Sequence, residues 1–449
     1  MKNQELKNLI KTSNFDKIGV EMYQMVSDLY PVCRSITGEG VRETLQFLKK
    51  IVPLEINEIP TGTKVFDWSI PKEWNIRDAY VKDSKGNRII DFRESNLHVL
   101  NYSVPVQKKV SLQELKKHLF SIPEHPEWIP YRTSYYHENW GFCLRHKDFV
   151  KLKEDNYEIC IDSTLQNGHL TFGEYFLQGQ LQDEILISTH ICHPSLCNDN
   201  LSGVALASML AAHLSETNLH YSYRFLFIPG TIGSIAWLSL NEQTLSKIKH
   251  GLVLACVGDP GPFTYKRSRQ GTAPIDNAVQ QILRDSNGEF KIIDFSPYGY
   301  DERQYCSPGI NLPVGCLMRT PYGEYPEYHT SADNLEFVTA ENLAASFKTC
   351  INVFYAVEKN KKYINQNPKC EPQLGKRGLY HHIGGHSDSK NFQLAMLWVL
   401  NLSDGHHTLL DICMRSGLKF DLISEVVDVL VAENLLKESS GESINRAVS

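Results

Sequence analysis

Residues 190–200, His-Ile-Cys-His-Pro-Ser-Leu-Cys-Asn-Asp-Asn, place two histidines, two cysteines and an aspartate close together. Histidine nitrogen with carboxylate oxygen is a zinc-type donor set, so His190 and Asp199 are the first residues to weigh. Taken singly, each has a plainer explanation, His190 as a hydrogen-bonded core histidine and Asp199 as a helix N-cap. The cysteines offer a rival set: Cys192 and Cys197 could form half of a thiolate site with His193 as third ligand. No second close pair completes it, and the eleven cysteines are never spaced C-x-x-C, which favours reduced core thiols.

The elements around these residues decide where they lie. Glu184-Ile-Leu-Ile-Ser-Thr189 reads as a buried strand, so His190 stands at its carboxyl end. Asp199 precedes a helix starting near Leu201, where the helix dipole favours an ionised carboxylate. Further apolar runs at 157–162, 223–229, 251–258, 291–295 and 312–318 alternate with helical patterns at 201–214, 275–286 and 341–359. This alternation predicts an α/β fold with a mostly parallel sheet flanked by helices, which binds ligands at the carboxyl ends of its strands. Residues 14–51 read as two helices around a Pro- and Gly-marked loop. Residues 55–145 are rich in Pro, Trp and short alternating segments and read as a β-rich insert. After about residue 375, three short amphipathic helices with a turn at Gly417 suit a winged helix-turn-helix.

Tyr328-His329-Thr330, with Asp333, lies in a polar loop ahead of the last long helix of the α/β region. With the run Asp199-Asn200-Leu201-Ser202-Gly203, it makes the chain resemble the co-catalytic zinc aminopeptidase-like family, relatives of bacterial leucyl aminopeptidase and of glutaminyl cyclases. The subgroup it looks most like is the aminopeptidase-like proteins found with polysaccharide biosynthesis, which carry a β-rich insert and a C-terminal winged helix. The resemblance spans roughly residues 14–51 and 150–360. It implies a peptidase-like sheet in a domain of residues 1–54 and 146–365, an insert at 55–145 and a winged helix at 375–449. It also implies zinc ligands His190, Asp199 and His329, and hydrolysis of an amide bond.

The family's adjacent glutamates, a general base and a metal ligand, fall here on Gly230 and Thr231. The third carboxylate falls on Ala255 or Cys256, with Asp259 displaced. The count that closes is one zinc held by two histidines and one carboxylate, with an open fourth position as in catalytic sites. Glu302 is the first candidate for a replacement base, and a salt-bridged acid beside Arg303 is its plainer reading. Asp259, Arg267 and Arg303 are candidate substrate-binding residues, the arginines as clamps for a carboxylate or phosphate, alongside Lys266 and Arg269. The expected function is a metallo-aminopeptidase or amidohydrolase acting on a small peptide-like or glycan-linked substrate. The alternative is a catalytically inactive metal- and ligand-binding member, and restoring glutamate at Gly230 would separate the two.

Bulk properties narrow the partners. With 449 residues, 42% apolar, 22% charged and a net charge of −6, the chain has two or three globular domains and no global basic field. Residues 391–437 hold six acids against three bases, and the expected recognition helix carries four of those acids with no Lys or Arg. Phosphate contact dominates DNA affinity, so no nucleic-acid partner is expected, and the unit reads as a docking module. Without an apolar run of about 18 residues or an apolar leader, the expectation is a cytoplasmic protein with no membrane partner. A homo-oligomer could form through the winged-helix or inserted domain.

Overall fold

The central sheet is assembled from eight strands: β1 (Glu55–Pro60), β2 (His169–Leu177), β3 (Glu184–His190), β4 (Ser222–Ile228), β5 (Ile248–Leu254), β6 (Phe263–Lys266), β7 (Phe290–Ile293) and β8 (Val314–Met318). Their spatial order is β7-β6-β8-β5-β3-β4-β2-β1. In the computed structural model, which describes residues 4–379 and 389–439, β3 runs parallel to β4 and β5, and β5 runs parallel to β8. The flanks turn antiparallel, β6 against β8 and β2 against both β4 and β1. The sheet is therefore mixed, with a parallel centre. Strands β3 and β8 are buried at every residue, as their unbroken apolar runs require of strands covered on both faces.

From β3 the chain passes through helix α3 (Gly203–Ser215) to β4 on one side, then through α4 (Ile232–Leu240) to β5 on the other. The order reverses at β3, so a crevice opens at its carboxyl end, where His190 stands. Helices α3 and α4 are almost wholly buried, which explains their apolar composition on all sides. Helices α1 (Phe15–Leu29) and α2 (Glu39–Leu48) frame the loop at residues 31–38, and α6 (Ala340–Lys359) follows the loop that carries His329.

A second, antiparallel sheet joins Arg88–Asp91, Glu73–Lys82, Asn156–Gln166 and Val106–Ser111 in that order. The boundaries differ from those expected. Residues 55–60, placed in the insert, belong to the central sheet. Residues 156–166, placed in the peptidase-like domain, complete the second sheet. Periodicity identifies a strand, but not the sheet it joins.

The chain divides into two units, residues 1–273 with 291–348 and residues 274–290 with 349–449. In the second unit, helices α7 (Ser389–Leu402), α8 (Leu409–Ser416) and α9 (Phe420–Ala432) accompany a small sheet of Lys362–Asn365, Asp404–Thr408 and Leu436–Glu438. The expected C-terminal domain also takes in residues 380–388 and 440–449, which lie outside the described residues. A Thr408–Asp411 capping box starts α8, and Gly417 ends it with a positive φ of 70°. Helix α5 (Pro274–Asp285), read from sequence as part of the peptidase-like domain, groups with this unit. Its Asp285 accepts a 2.8 Å hydrogen bond from the Phe420 backbone N–H at the start of α9.

Burial pushes the Asp285 carboxyl up to about 6 from its ordinary value of 3.8. As pH falls, the folded chain therefore binds this proton before the unfolded chain does. The penalty is full above about pH 6 and gone below about pH 4. Asp285→Asn, which keeps an acceptor for Phe420, should melt higher than the parent near pH 7. The gap should close between about pH 6 and 4, as read by thermal denaturation at several pH values.

Candidate metal centre

The carboxylate of Asp199 sits among three imidazoles. Its Oδ1 is 2.8 Å from His190 Nε2, and its Oδ2 is 2.9 Å from His329 Nε2 and 3.8 Å from His193 Nε2. One donor atom each from His190, His193 and Asp199 lies within 4.8 Å of the others, close enough to share a cation. Burial alone would push the Asp199 carboxyl up, but His193, His190 and His329 together hold it well below the ordinary range. Burial drives the His193 imidazole well below its usual value. Imidazole nitrogens with an ionised carboxylate match the donor chemistry of zinc.

Buried polar groups fix this geometry. Asp333 accepts hydrogen bonds from the backbone N–H groups of Asn198 at 2.6 Å and Asp199 at 2.9 Å, while its carbonyl takes the Cys197 N–H. Burial pushes Asp333 up to about 8. Asn200 reaches Thr189 Oγ1, the Leu254 carbonyl and the Cys256 N–H, tying the loop to β3 and β5. Arg34, 1% exposed, donates to the carbonyls of His193, Pro194 and Leu29. The segment sequence analysis read only as a loop thus supplies the arginine that holds His193.

The inserted region reaches the same site. Tyr131 N–H donates to the His329 carbonyl at 2.7 Å, and Ile129 and Ser331 exchange hydrogen bonds. These contacts hold His329 at φ +55°, a left-handed conformation costing a non-glycine residue about 1–3 kcal/mol. Tyr131 packs edge-on against His193 and His329, Tyr328 stacks on His329 at 4.0 Å, and Tyr300 lies 4.0 Å from the His190 ring.

His190, Asp199 and His329, the ligands that the resemblance implies, come together in the structure. It adds His193, which sequence analysis considered only beside the cysteines, although the spacing His190-x-x-His193 after a strand was a visible signal. Cys192 and Cys197 are fully buried, and burial pushes the Cys192 thiol up to about 12. Neither is a thiolate donor at neutral pH.

The other candidates lie elsewhere. Glu302 is 0% exposed; it pairs with Lys266 Nζ at 2.9 Å, accepts from Tyr322 Oη at 2.7 Å and takes the Tyr300 N–H. These bonds give it an anchoring place rather than that of a base open to substrate. Asp259, 1% exposed, accepts from Thr320, Gly261 and the Asn198 side chain, so it braces the metal loop from beneath and does not face a substrate. Arg267 pairs with Asp294 at 3.1 Å, and Arg303 is exposed. Cys256, where a third carboxylate was sought, is a buried neutral thiol.

Two further residues were not singled out from the sequence, although Asp301 lies in the same acidic pair as Glu302. Asp301 is fully buried; its Oδ1 accepts from Ser234 Oγ at 2.8 Å, and its Oδ2 has no partner among the described residues. Burial pushes it up to about 6, with His190 the largest opposing influence. Tyr300 lies against Gly230, where a Cβ would come within 2.0 Å of the Tyr300 ring. A glutamate at 230 therefore does not fit while Tyr300 holds its place, which changes what the Gly230→Glu experiment could report.

A mixed sheet with a histidine at the end of its central strand and an aspartate loop beside it defines an aminopeptidase-like α/β fold, here followed by a winged helix-turn-helix matched at residues 361–438. The chain belongs to the family described as domain of unknown function DUF4910, whose model matches residues 23–360. It is 54% identical over 434 residues to a Clostridium acetobutylicum protein named for polysaccharide biosynthesis with an aminopeptidase-like domain, covering 97% of this chain and 99% of that one. A crystal structure from the same organism, presented as a candidate peptidase, superposes with a TM-score of 0.92 at 52% identity over 97% of this chain and 100% of that one. BSAP, a zinc aminopeptidase from Bacillus subtilis, shares the fold at 11% identity and a TM-score of 0.56, covering 76% of this chain and 95% of that one.

Asp333→Ala would leave the buried Asn198 and Asp199 N–H groups unbonded. It should cost about 2–4 kcal/mol in urea denaturation, and Asp333→Asn, which keeps an acceptor, should cost less.

Proposed function

We propose that this protein is a zinc-dependent, aminopeptidase-like hydrolase that acts on an amide bond of a small peptide-like or glycan-linked substrate. The observation that carries this reading is the buried Asp199 carboxylate shared by His190, His193 and His329 at the carboxyl end of β3. His190, His193 and Asp199 would hold one zinc, with His329 on the far carboxylate oxygen. When bound, zinc supplies Lewis-acid polarisation of a carbonyl and lowers the pKa of a bound water to about 7. Tyr131, Tyr300 and Tyr328 pack their rings against the histidines. Asp301 replaces Glu302 as the candidate for handling a proton, because it is buried close to His190 with one oxygen unpartnered among the described residues and a pKa pushed up to about 6. The names of the Clostridium relatives agree with a substrate combining peptide-like and sugar chemistry.

A second reading is a member that binds metal and ligand without turnover. It is favoured by Gly230 and Thr231, neither of which can serve as the base or carboxylate ligand expected there. Elemental analysis of the parent is expected to find about one zinc per chain, lost in His190→Ala and Asp199→Ala and reduced in His193→Ala. Turnover of short peptides or N-acylated amino sugars by the zinc-loaded parent would establish the hydrolase. Zinc and ligand binding without turnover would establish the second reading, and absence of bound zinc would overturn both.

The winged helix carries a separate proposal. The exposed positions of α9 include Asp421, Glu425 and Asp428, while its buried face is apolar. Such a face repels phosphate, so we assign this unit no DNA-binding role. Among the described residues no helix is long and apolar enough to cross a membrane. The full-length chain should show no duplex-DNA binding in a mobility-shift assay at physiological salt, and a salt-sensitive shift would reverse the assignment.

A further inference from the structure

Position 230 lies directly after β4, at the carboxyl end of the sheet. A Cβ built there would meet Tyr300 Cε1 at 2.0 Å and Cδ1 and Cζ at 2.8 Å, so the tyrosine ring fills the volume any side chain at 230 would need. The ring also lies 4.0 Å from His190 and 5.9 Å from His193, centroid to centroid. Among the described residues its hydroxyl meets Cys192 Sγ at 3.2 Å and the Gly230 carbonyl at 3.3 Å. A sulfur acceptor and a long carbonyl contact leave that donor available to a better acceptor.

The surroundings hold Tyr300 in place from behind. Its backbone N–H donates to the Glu302 carboxylate at 3.1 Å, and Glu302 is fixed by Lys266 Nζ at 2.9 Å and Tyr322 Oη at 2.7 Å. Lys266 also donates to the Tyr298 carbonyl at 2.5 Å, so one buried ion pair grips the 298–302 turn at both ends. We propose that Tyr300 occupies the place of a side chain at position 230 and donates its phenol hydrogen bond to an acceptor oxygen of the ligand bound at the His190–His193–Asp199 cluster, with Glu302 as its positioning residue. The ligand class that follows is one presenting a carbonyl, carboxylate or hydroxamate oxygen beside the metal. This rests on the metal-site reading above.

The test uses the full-length zinc-loaded chain, with acetohydroxamate as the oxygen-donor probe in isothermal titration. Tyr300→Phe keeps the ring and should bind zinc within about twofold of the parent, yet bind acetohydroxamate about tenfold more weakly. Glu302→Gln should show a smaller loss of the same kind, without loss of zinc. Separately, and without metal, Gly230→Ala should lower the melting temperature, and the double variant Gly230→Ala, Tyr300→Ala should melt above the sum of the two single effects, because the clash is removed. Equal acetohydroxamate affinity in parent and Tyr300→Phe would overturn the donor role, as would a zinc-loaded parent that binds none. A Gly230→Ala chain as stable as the parent would overturn the placement. Loss of zinc binding in the parent itself would instead count against the metal-site reading, and the melting experiment would still decide the placement of Tyr300.

Discussion

The fold around the site depends on one carboxylate kept charged out of water. Asp199 is 2% exposed, and burying an isolated carboxylate is prohibitive unless it is compensated. Here compensation comes from imidazoles on both oxygens, one at the end of β3, one in the 191–200 loop and one in the 325–334 loop. Two arrive with the 190–200 stretch itself and the third from the distant 325–334 loop, so the constraint on Asp199 is passed on to both segments. Asp333 takes up much of it, because a single aspartate satisfies the loop N–H groups that the turn into α3 leaves outside regular structure. Arg34 does the same for the carbonyls of His193 and Pro194.

The inserted region is part of this arrangement. His329 has a positive φ, and the strained loop is closed by the Tyr131 N–H and by the exchange between Ile129 and Ser331. These donors and acceptors come from the segment that follows the second sheet's edge strand, Val106–Ser111, so the insert acts as a brace for a candidate ligand rather than as a separate module. This explains why strand 156–166, which returns from the insert, pairs with 73–82 and 106–111 before the chain re-enters the central sheet at β2.

The readable part of the site was the part encoded locally. His190 follows an apolar strand, Asp199 precedes a small-residue helix start and His329 sits in a short polar motif, and each pattern survives without knowledge of tertiary contacts. The alternation of strands and helices likewise exposed the α/β class, since parallel strands covered on both faces must be apolar throughout. What stayed hidden depended on contacts between distant segments. Along the turn 300–302 successive side chains diverge, so Tyr300 faces His190, Asp301 reaches Ser234 and Glu302 reaches Lys266. One-dimensional reading could find an acidic pair there but not which acid looked toward the site. Domain edges failed for a similar reason: β1 and strand 156–166 look alike in sequence, and only pairing assigns them to different sheets.

The Lys266–Glu302 pair shows how much of such a site can be support. Both side chains are almost fully buried, at 2% and 0% exposure, and removing two charges from water costs more than their attraction alone commonly returns. A pair of packed apolar residues would stabilise the core at least as well. An apolar pair, however, could not accept the Tyr300 and Tyr322 hydrogen bonds and donate to Tyr298 at once, which together set the path of the 298–302 turn. The ion pair is therefore better understood as directional than as stabilising. Its geometry dictates where the Tyr300 ring lies, and that ring in turn requires glycine at 230. An absent side chain on β4's loop and a buried charge pair behind β8 are thus two ends of the same constraint.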